Sequence, residues 1–343
     1  MILEFSKLSI EEVIDSIDEN KATEWQLDIR NFLKTYADQE ALVTLSELQG
    51  EVIFYVDLKI KNIKHTAIAL NEFLALKQGD TTILTESVRR KVGVIILAQA
   101  IEGKMDIHCN ELTDEIKIPY TGQDQNSIHW GLNYVYLNEN QVNNSQSVLH
   151  RIEKVAIASY GMKDETKAGI SKNDDQSIFE VFSVKSYPVA VRKLGESEFT
   201  VIGDVEISRS INGHLLLNSP LFSKEIDTQK VVLLENDKSF RWLLKHEYLD
   251  DESNQIIDFD HIEEVLAPHI PSRFVVLNFP DAETGKDVVT LVVKRLYIDD
   301  FNFPTEGLKD YEIPRQNYSI GDFPETDDRA IIRDEVKRLL AQH

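Results

Sequence analysis

Apolar residues recur every three or four positions near the start of the chain. They fall at Ile10, Val13, Ile14 and Ile17, and again at Trp25, Ile29, Phe32, Leu33 and Tyr36. This is the period that gathers side chains on one face of an α-helix, so it predicts two amphipathic helices. Ser9-Ile10-Glu11-Glu12 places a capping-box sequence ahead of the first. From Ala41 the period shortens. Leu42, Thr44 and Ser46 alternate with their neighbours, Leu48-Gln49-Gly50 reads as a turn, and residues 51–60 are rich in Val, Ile, Phe and Tyr. That pattern predicts a β-hairpin.

Residues 66–76 fit a helix slightly better than a strand. Residues 92–100, 104–110, 115–120, 130–137 and 150–160 read as successive strands. Residues 161–177 then carry Gly161, Gly169, many charges and little to bury. They are the expected linker between a domain over 1–160 and a second over 178–343, although an exposed loop within one domain has the same composition. Beyond it, residues 188–194, 198–208 and 214–217 form a meander turned at Gly195-Glu196 and Asn212-Gly213, the latter a type I′ signal. Residues 231–234 read as a strand and 240–248 as a short helix. Residues 273–279 and 287–298 form a hairpin around 281–286. A last helix starts at Asp327 or Asp328, with Ile332, Val336 and Leu339 on one face. The order of elements predicts an α+β fold of β-rich meanders with helices at the N- and C-termini.

Composition narrows the picture. A chain of 343 residues exceeds the roughly 250–300 that one core usually serves, which favours two domains. Its 42% hydrophobic and 28% charged residues describe a soluble globular protein. The net charge of −22 repels phosphate backbones and anionic lipid surfaces unless a local basic patch overrides it. Nucleic acid is therefore not an expected partner. No apolar run approaches the roughly 20 residues of a membrane-spanning helix, so no membrane is expected either. Cys109 is the single cysteine, which excludes an intrachain disulfide and fits the reducing cytoplasm.

Candidate chemistry is sparse. There is no GxxxxGK[ST], GxGxxG, HExxH, CxxC or GxSxG. Glu47, Asp57 and Lys59 lie on the predicted hairpin, and their spacing resembles the D…[D/E]xK arrangement of the PD-(D/E)xK nuclease family. The resemblance implies Glu47 and Asp57 as ligands of Mg²⁺ or Mn²⁺, Lys59 as the residue that positions water, and Glu40 as a further acid. It departs from the pattern in having Asp57 where the family has Glu. Alternating Asp57, Lys59 and Lys61 equally describe the solvated face of any strand. Asp258, Asp260, His261, Glu263, Glu264 and His269 are donors suited to Mn, Fe or Zn. Asp260 also reads as the acidic first turn of a helix ended by Pro268 and Pro271. His108 and Cys109 are neighbours in a strand and point to opposite faces. Arg89-Arg90-Lys91 and Lys59/Lys61/Lys64 are the compact basic clusters. Phe301, Phe303, Tyr311, Tyr318 and Phe323, interleaved with Pro304, Pro314 and Pro324, make an arm that either clamps its own domain or lies on a partner.

These features favour a non-catalytic, protein-binding component of a soluble multiprotein assembly, cytoplasmic or virus-related. It would act through a protein partner or as an oligomer, without a cofactor. One alternative is the metal-dependent nuclease, using Mg or Mn. Another is an acidic protein that mimics DNA or captures a basic partner.

Overall fold

A computed structural model of the protein describes residues 1–49, 52–112, 115–116, 131–159, 170, 176–243, 246–250, 255–295, 306–326 and 330–342. The fold is α+β, as the pattern predicts. Among the described residues no helix is long and apolar enough to cross a membrane. The chain separates into two compact units. One comprises Met1–Ser208, Leu215–Thr228 and Leu234–Arg241; the other comprises Arg209–His214, Gln229–Leu233 and Trp242–His343. The division therefore does not fall at residues 161–177, most of which lie outside the described residues. The strands on either side of that stretch pair with each other in one sheet. A chain that leaves one strand and returns beside it stays in the same unit, however polar the excursion.

The first unit opens with β1 (Ile2–Glu4), α1 (Ile10–Ser16) and α2 (Glu24–Tyr36), followed by the hairpin β2 (Leu42–Gln49) and β3 (Val52–Lys59). The capping box at Ser9 is formed, with Glu12 N–H donating to Ser9 Oγ and Ser9 N–H to the Glu12 carboxylate. Then come α3 (Ile60–Phe73), β4 (Thr81–Ile83), α4 (Lys91–Glu102), β5 (Asp106–His108), β6 (Tyr134–Asn138), α5 (Glu139–Leu149), β7 (Lys154–Ala158), β8 (Ser177–Val184), β9 (Tyr187–Lys193) and β10 (Glu198–Val201). Strands β6, β7 and β8 are parallel, and β8 to β10 continue antiparallel in a nine-stranded sheet.

The expected strand over 92–100 is the helix α4. All of Val92 to Ala100 is buried. An element buried on every side shows no amphipathic period, and a short apolar run cannot choose between strand and helix by itself. The expected helix over 240–248 is instead strand Ser239–Trp242 and strand Glu247–Asp250, with residues 244–245 outside the description. Phe240 stacks on Phe199 at 5.5 Å, a cross-strand contact that outweighs local helical spacing. The strand expected at 115–120 lies mostly outside the described residues.

In the second unit, strand Phe274–Pro280 pairs antiparallel with Asp287–Lys294, which pairs in parallel with Gln316–Ile320. Ile262 and Leu266 of helix Phe259–Leu266 cluster with Val276 and Leu291, while Val336 and Leu340 of helix Arg333–Leu340 cluster with Leu277 and Val292. The turn at Asn212-Gly213 has positive φ only at Gly213 (+77°), so it is not type I′. Gly213 N–H closes it on the Ser210 carbonyl at 3.0 Å.

A candidate functional site at the carboxyl ends of three strands

Asn138, Ala158 and Val181 stand side by side in register across the parallel strands β6, β7 and β8. The first two end their strands. In open sheets with parallel strands, ligands settle outside these carboxyl ends, where strand termini and helix starts leave a crevice. A cavity of ≈ 240 Å³ occurs there, wholly within the first unit. Ser159 and Ser183 line it beyond that row, Glu86, Arg90, Lys91 and Val92 supply a second wall, and Ser46 of the β2–β3 hairpin reaches it as well.

Local sequence explains how these walls are held. Asn138 caps α5, its Oδ1 accepting from Gln141 N–H at 3.0 Å, and its amide donates to Glu86 Oε1 at 2.7 Å. Gln141 Nε2 donates to the Thr85 carbonyl at 2.7 Å, and Thr85 Oγ1 to the Tyr136 carbonyl at 2.7 Å. The segment before α4 is thereby tied to the end of β6. Ser46 N–H donates to the Arg89 carbonyl at 2.8 Å, and Ser159 Oγ to Glu139 Oε1 at 2.8 Å. Gly93 permits the close approach of residues 86–87 to the first turn of α4; a Cβ there would collide with the Ser87 and Glu86 carbonyl oxygens.

The electrostatics of the cleft are cationic. Arg90 is the N-cap of α4 and Lys91 its first residue, and the first turn holds no acid. The partial positive charge of the helix start, about half an elementary charge, is therefore not neutralised by its own side chains. Glu86 is the carboxylate of the lining. Arg90 has no side-chain partner among the described residues, whereas Arg89 pairs with Asp28 at 2.7 Å and Glu24 at 3.2 Å. Ser183 is 4% exposed and its hydroxyl has no hydrogen-bond partner. A buried hydroxyl of that kind is destabilising unless an incoming group completes it.

Other residues singled out in the sequence fall elsewhere. In the β2–β3 register Asp57 stands opposite Thr44, and position 47 opposite position 54. Positions 44 and 47 differ by an odd number, so positions 47 and 57 alternate across the pleat of the hairpin; the side chain of Glu47 lies outside the described residues. Asp57 is exposed and accepts from Thr44 Oγ1 at 2.6 Å; Lys59 is the exposed N-cap of α3. Lys61 pairs with Glu40 at 3.7 Å, and Lys64 lies 4.7 Å from the centre of the Tyr36 ring. Asp258 caps helix Phe259–Leu266, with Asp260 in its first turn. Asp260 receives His246 Nδ1 at 2.8 Å and Arg333 at 3.3 Å, and Arg333 also reaches Glu263 at 2.7 Å. No group of three or more metal-ligating side chains occurs among the described residues. Burial pushes the Cys109 thiol up to about 12 and His108 below its ordinary value. Of the aromatic arm, Phe301 and Phe303 lie outside the described residues. Tyr311 and Tyr318 pack against the two clusters of the second unit, Tyr318 edge-on to Phe279 at 5.8 Å, and Phe323 is 7% exposed. Phe323 is buried in its own unit, and Tyr311 and Tyr318 are half-buried against it.

No protein-family model matches the chain, and no curated protein matches it. Solved structures do. The crystal structure of an acyl-CoA synthetase (AMP-forming)/AMP-acid ligase II-like protein from Dyadobacter fermentans superposes with a TM-score of 0.64, covering 96% of this chain and 98% of that one at 16% identity. The two chains share a fold. Escherichia coli MenE with an analogue of OSB-AMS reaches 0.48 at 11% identity, over 89% of this chain and 71% of its own. O-succinylbenzoate coenzyme A synthetase (MenE) from Bacillus subtilis, in complex with ATP and magnesium, reaches 0.45 at 11% identity, over 96% and 82%. Neither of these two is similar enough to carry an argument about this chain. The likeness over the full length of the Dyadobacter protein overturns the expected non-catalytic, protein-binding assembly component. The nuclease reading falls with it.

Proposed function

We propose that the protein is an AMP-forming ligase that activates a carboxylic acid with ATP. The observation that carries this reading is the cation-rimmed cleft at the ends of β6, β7 and β8, in a chain that shares its fold along its whole length with an AMP-forming ligase-like protein. In such a reaction a carboxylate oxygen of the acid attacks the α-phosphorus of ATP. The bond to pyrophosphate breaks, and an acyl-adenylate forms. A thiol such as that of coenzyme A then attacks the acyl carbon, releasing AMP and a proton. Two anionic reactants must meet, and a cleft with Arg90, Lys91 and an unneutralised helix start lowers their repulsion. Val92, Ala158 and Val181 offer apolar surface for the acid's carbon chain. ATP, with magnesium, replaces the earlier expectation that no cofactor is used. Mg²⁺ usually takes one or two carboxylates plus the substrate's phosphates, and Glu86 is the cleft carboxylate placed to contribute. The buried, unreactive thiol of Cys109 is in keeping with a cytoplasmic enzyme.

Pyrophosphate and AMP release, measured with ATP, Mg²⁺ and a panel of carboxylic acids, tests the reading. Acid-dependent pyrophosphate release, with hydroxamate formed when hydroxylamine is added, is the expected result. ATP turnover that no acid stimulates would overturn it.

A further inference from the structure

The hairpin of β2 and β3 carries a second surface, whose residues on β3 do not line the cleft. We propose that the outer edge of β3 pairs with the same edge of a second copy of this chain, antiparallel and across a twofold axis at Tyr55. Ser46 N–H points away from β3, to the Arg89 carbonyl at 2.8 Å, and Ile60 N–H points inward, to the Ala41 carbonyl at 3.0 Å. Opposed residues of an antiparallel pair alternate between bonding each other and facing outward. With Ala41 and Ile60 bonded, and with Ser46 opposite Tyr55, the outward positions of β3 include Ile53, Tyr55 and Asp57. Their N–H and C=O groups have no partner among the described residues, where β2 is the single strand beside β3. Lys59, next in the series, turns into α3 as its N-cap.

The strip is exposed and unguarded. Ile53 is 58% and Tyr55 74% exposed, and Leu42 on the same face is 54% exposed, whereas Leu45 and Leu58 on the other face are buried. Free strand edges attract further strands, and folds normally blunt them with proline, charge or a covering side chain. The edge strand Phe274–Pro280 of the second unit is blunted in this way. Glu263 accepts the Val276 N–H at 2.7 Å, Arg333 Nε donates to the Val276 carbonyl at 3.1 Å, and Pro280 has no N–H to offer. On β3 the charges are Asp57, which accepts from Thr44 Oγ1 at 2.6 Å, and Lys59 at the end of the strand. The strip is complementary to a copy of itself. About Tyr55, each outward N–H meets an outward C=O, the two Tyr55 rings come together, and Ile53 lies opposite Asp57 of the second copy. No like charges then stand opposite each other. An axis at Asp57 would oppose the two carboxylates, and one at Lys59 would run the strand into α3. An isologous contact of this kind closes on itself as a dimer. The net charge of −22 opposes two copies at long range, so salt should strengthen the contact.

Sedimentation velocity of the full chain from about 10 µM to about 1 mM is expected to show a concentration-dependent dimer that salt strengthens, a range that suits a small interface. Tyr55→Lys, which opposes two ammonium groups at the axis, should weaken it at least about tenfold with an unchanged melting temperature. Cysteine cross-linking reads the register, because Cys109 is buried and its thiol is pushed up to about 12. Under mild oxidation Tyr55→Cys should give a disulfide-linked dimer. Asp57→Cys should not, since the two copies of position 57 would lie four residues apart, roughly 13 Å, beyond the span of a disulfide. A mixture of Ile53→Cys and Asp57→Cys chains should cross-link. A chain that stays monomeric throughout the range overturns the proposal, whether or not the edge takes up an extended peptide of other sequence. A dimer that survives Tyr55→Lys overturns it too, as does one weakened by salt or one cross-linked through Asp57→Cys and not through Tyr55→Cys. If Tyr55→Lys fails to fold, the cross-links decide.

Discussion

At the scale of single residues, the contrast between two buried polar groups separates architecture from function. Tyr134 donates to Gln99 Oε1 at 3.0 Å, and Gln99 Nε2 donates to Asn71 Oδ1 at 3.0 Å, so this core network is closed. Ser183 is buried to the same degree and its hydroxyl is open. Natural chains keep such a group where a ligand completes it, and the free protein carries the penalty. Ser183→Ala is therefore expected to raise the stability of the free protein by about 1 kcal/mol, read from urea melts, while weakening acid binding. A loss of stability on removing the hydroxyl would show that Ser183 has a structural partner after all. The three-residue basic triad was visible in the sequence at 89–91. Only the structure divides it, directing Arg89 to Asp28 and Glu24 while Arg90 and Lys91 line the cleft.

At the scale of elements, α4 is where local reading failed and where the site is made. Its run from Val92 to Ala100 lacks a polar face because no face of it meets water. The signal that could have identified it is length together with Gly93, since a glycine near a helix start often marks close backbone approach. Gly93→Ala tests that approach. Helix propensity alone predicts a gain of about 1 kcal/mol. The collision of the new methyl with the 86–87 carbonyls predicts a loss of about 2 kcal/mol instead. The sign of the shift in chemical denaturation decides between them, and a stabilised variant would remove the tight crossing from the account of the cleft. The unforeseen α5 is polar and short of periodic apolar residues, and its start is legible only as the Asn138–Gln141 capping box.

At the scale of the whole molecule, each unit has its own hydrophobic core. The first gathers residues such as Leu33, Leu70, Ile96 and Tyr134, and the second gathers Ile262, Leu266, Val276 and Leu291. Separate cores unfold as separate cooperative blocks. Scanning calorimetry is expected to resolve two transitions, with Leu291→Ala lowering one by about 3 kcal/mol of stability and leaving the other in place. One transition that moves as a whole would show that the two cores melt together. The net charge of −22 belongs to this scale as well. It describes solubility and long-range repulsion, and it hid a cleft of opposite sign because a sum over the chain carries no positions.

The amino-acid sequence by itself determined what short-range physics can determine: the two helices at the N-terminus, the hairpins, the helix with Asp260 in its first turn, and the α+β class. Each depends on side chains within a few positions of one another, where period, caps and turn residues act directly. The division into units, the helical state of Val92–Ala100 and the cleft itself were decided by tertiary structure. Asn138, Ala158 and Val181 come from three strands and become neighbours only when β6, β7 and β8 pair. Arg90 acquires its role only when a distant hairpin and two acids of α2 claim Arg89. Sequence spacing has no access to such contacts, because parallel pairing joins residues whose separation along the chain is set by whatever lies between the strands.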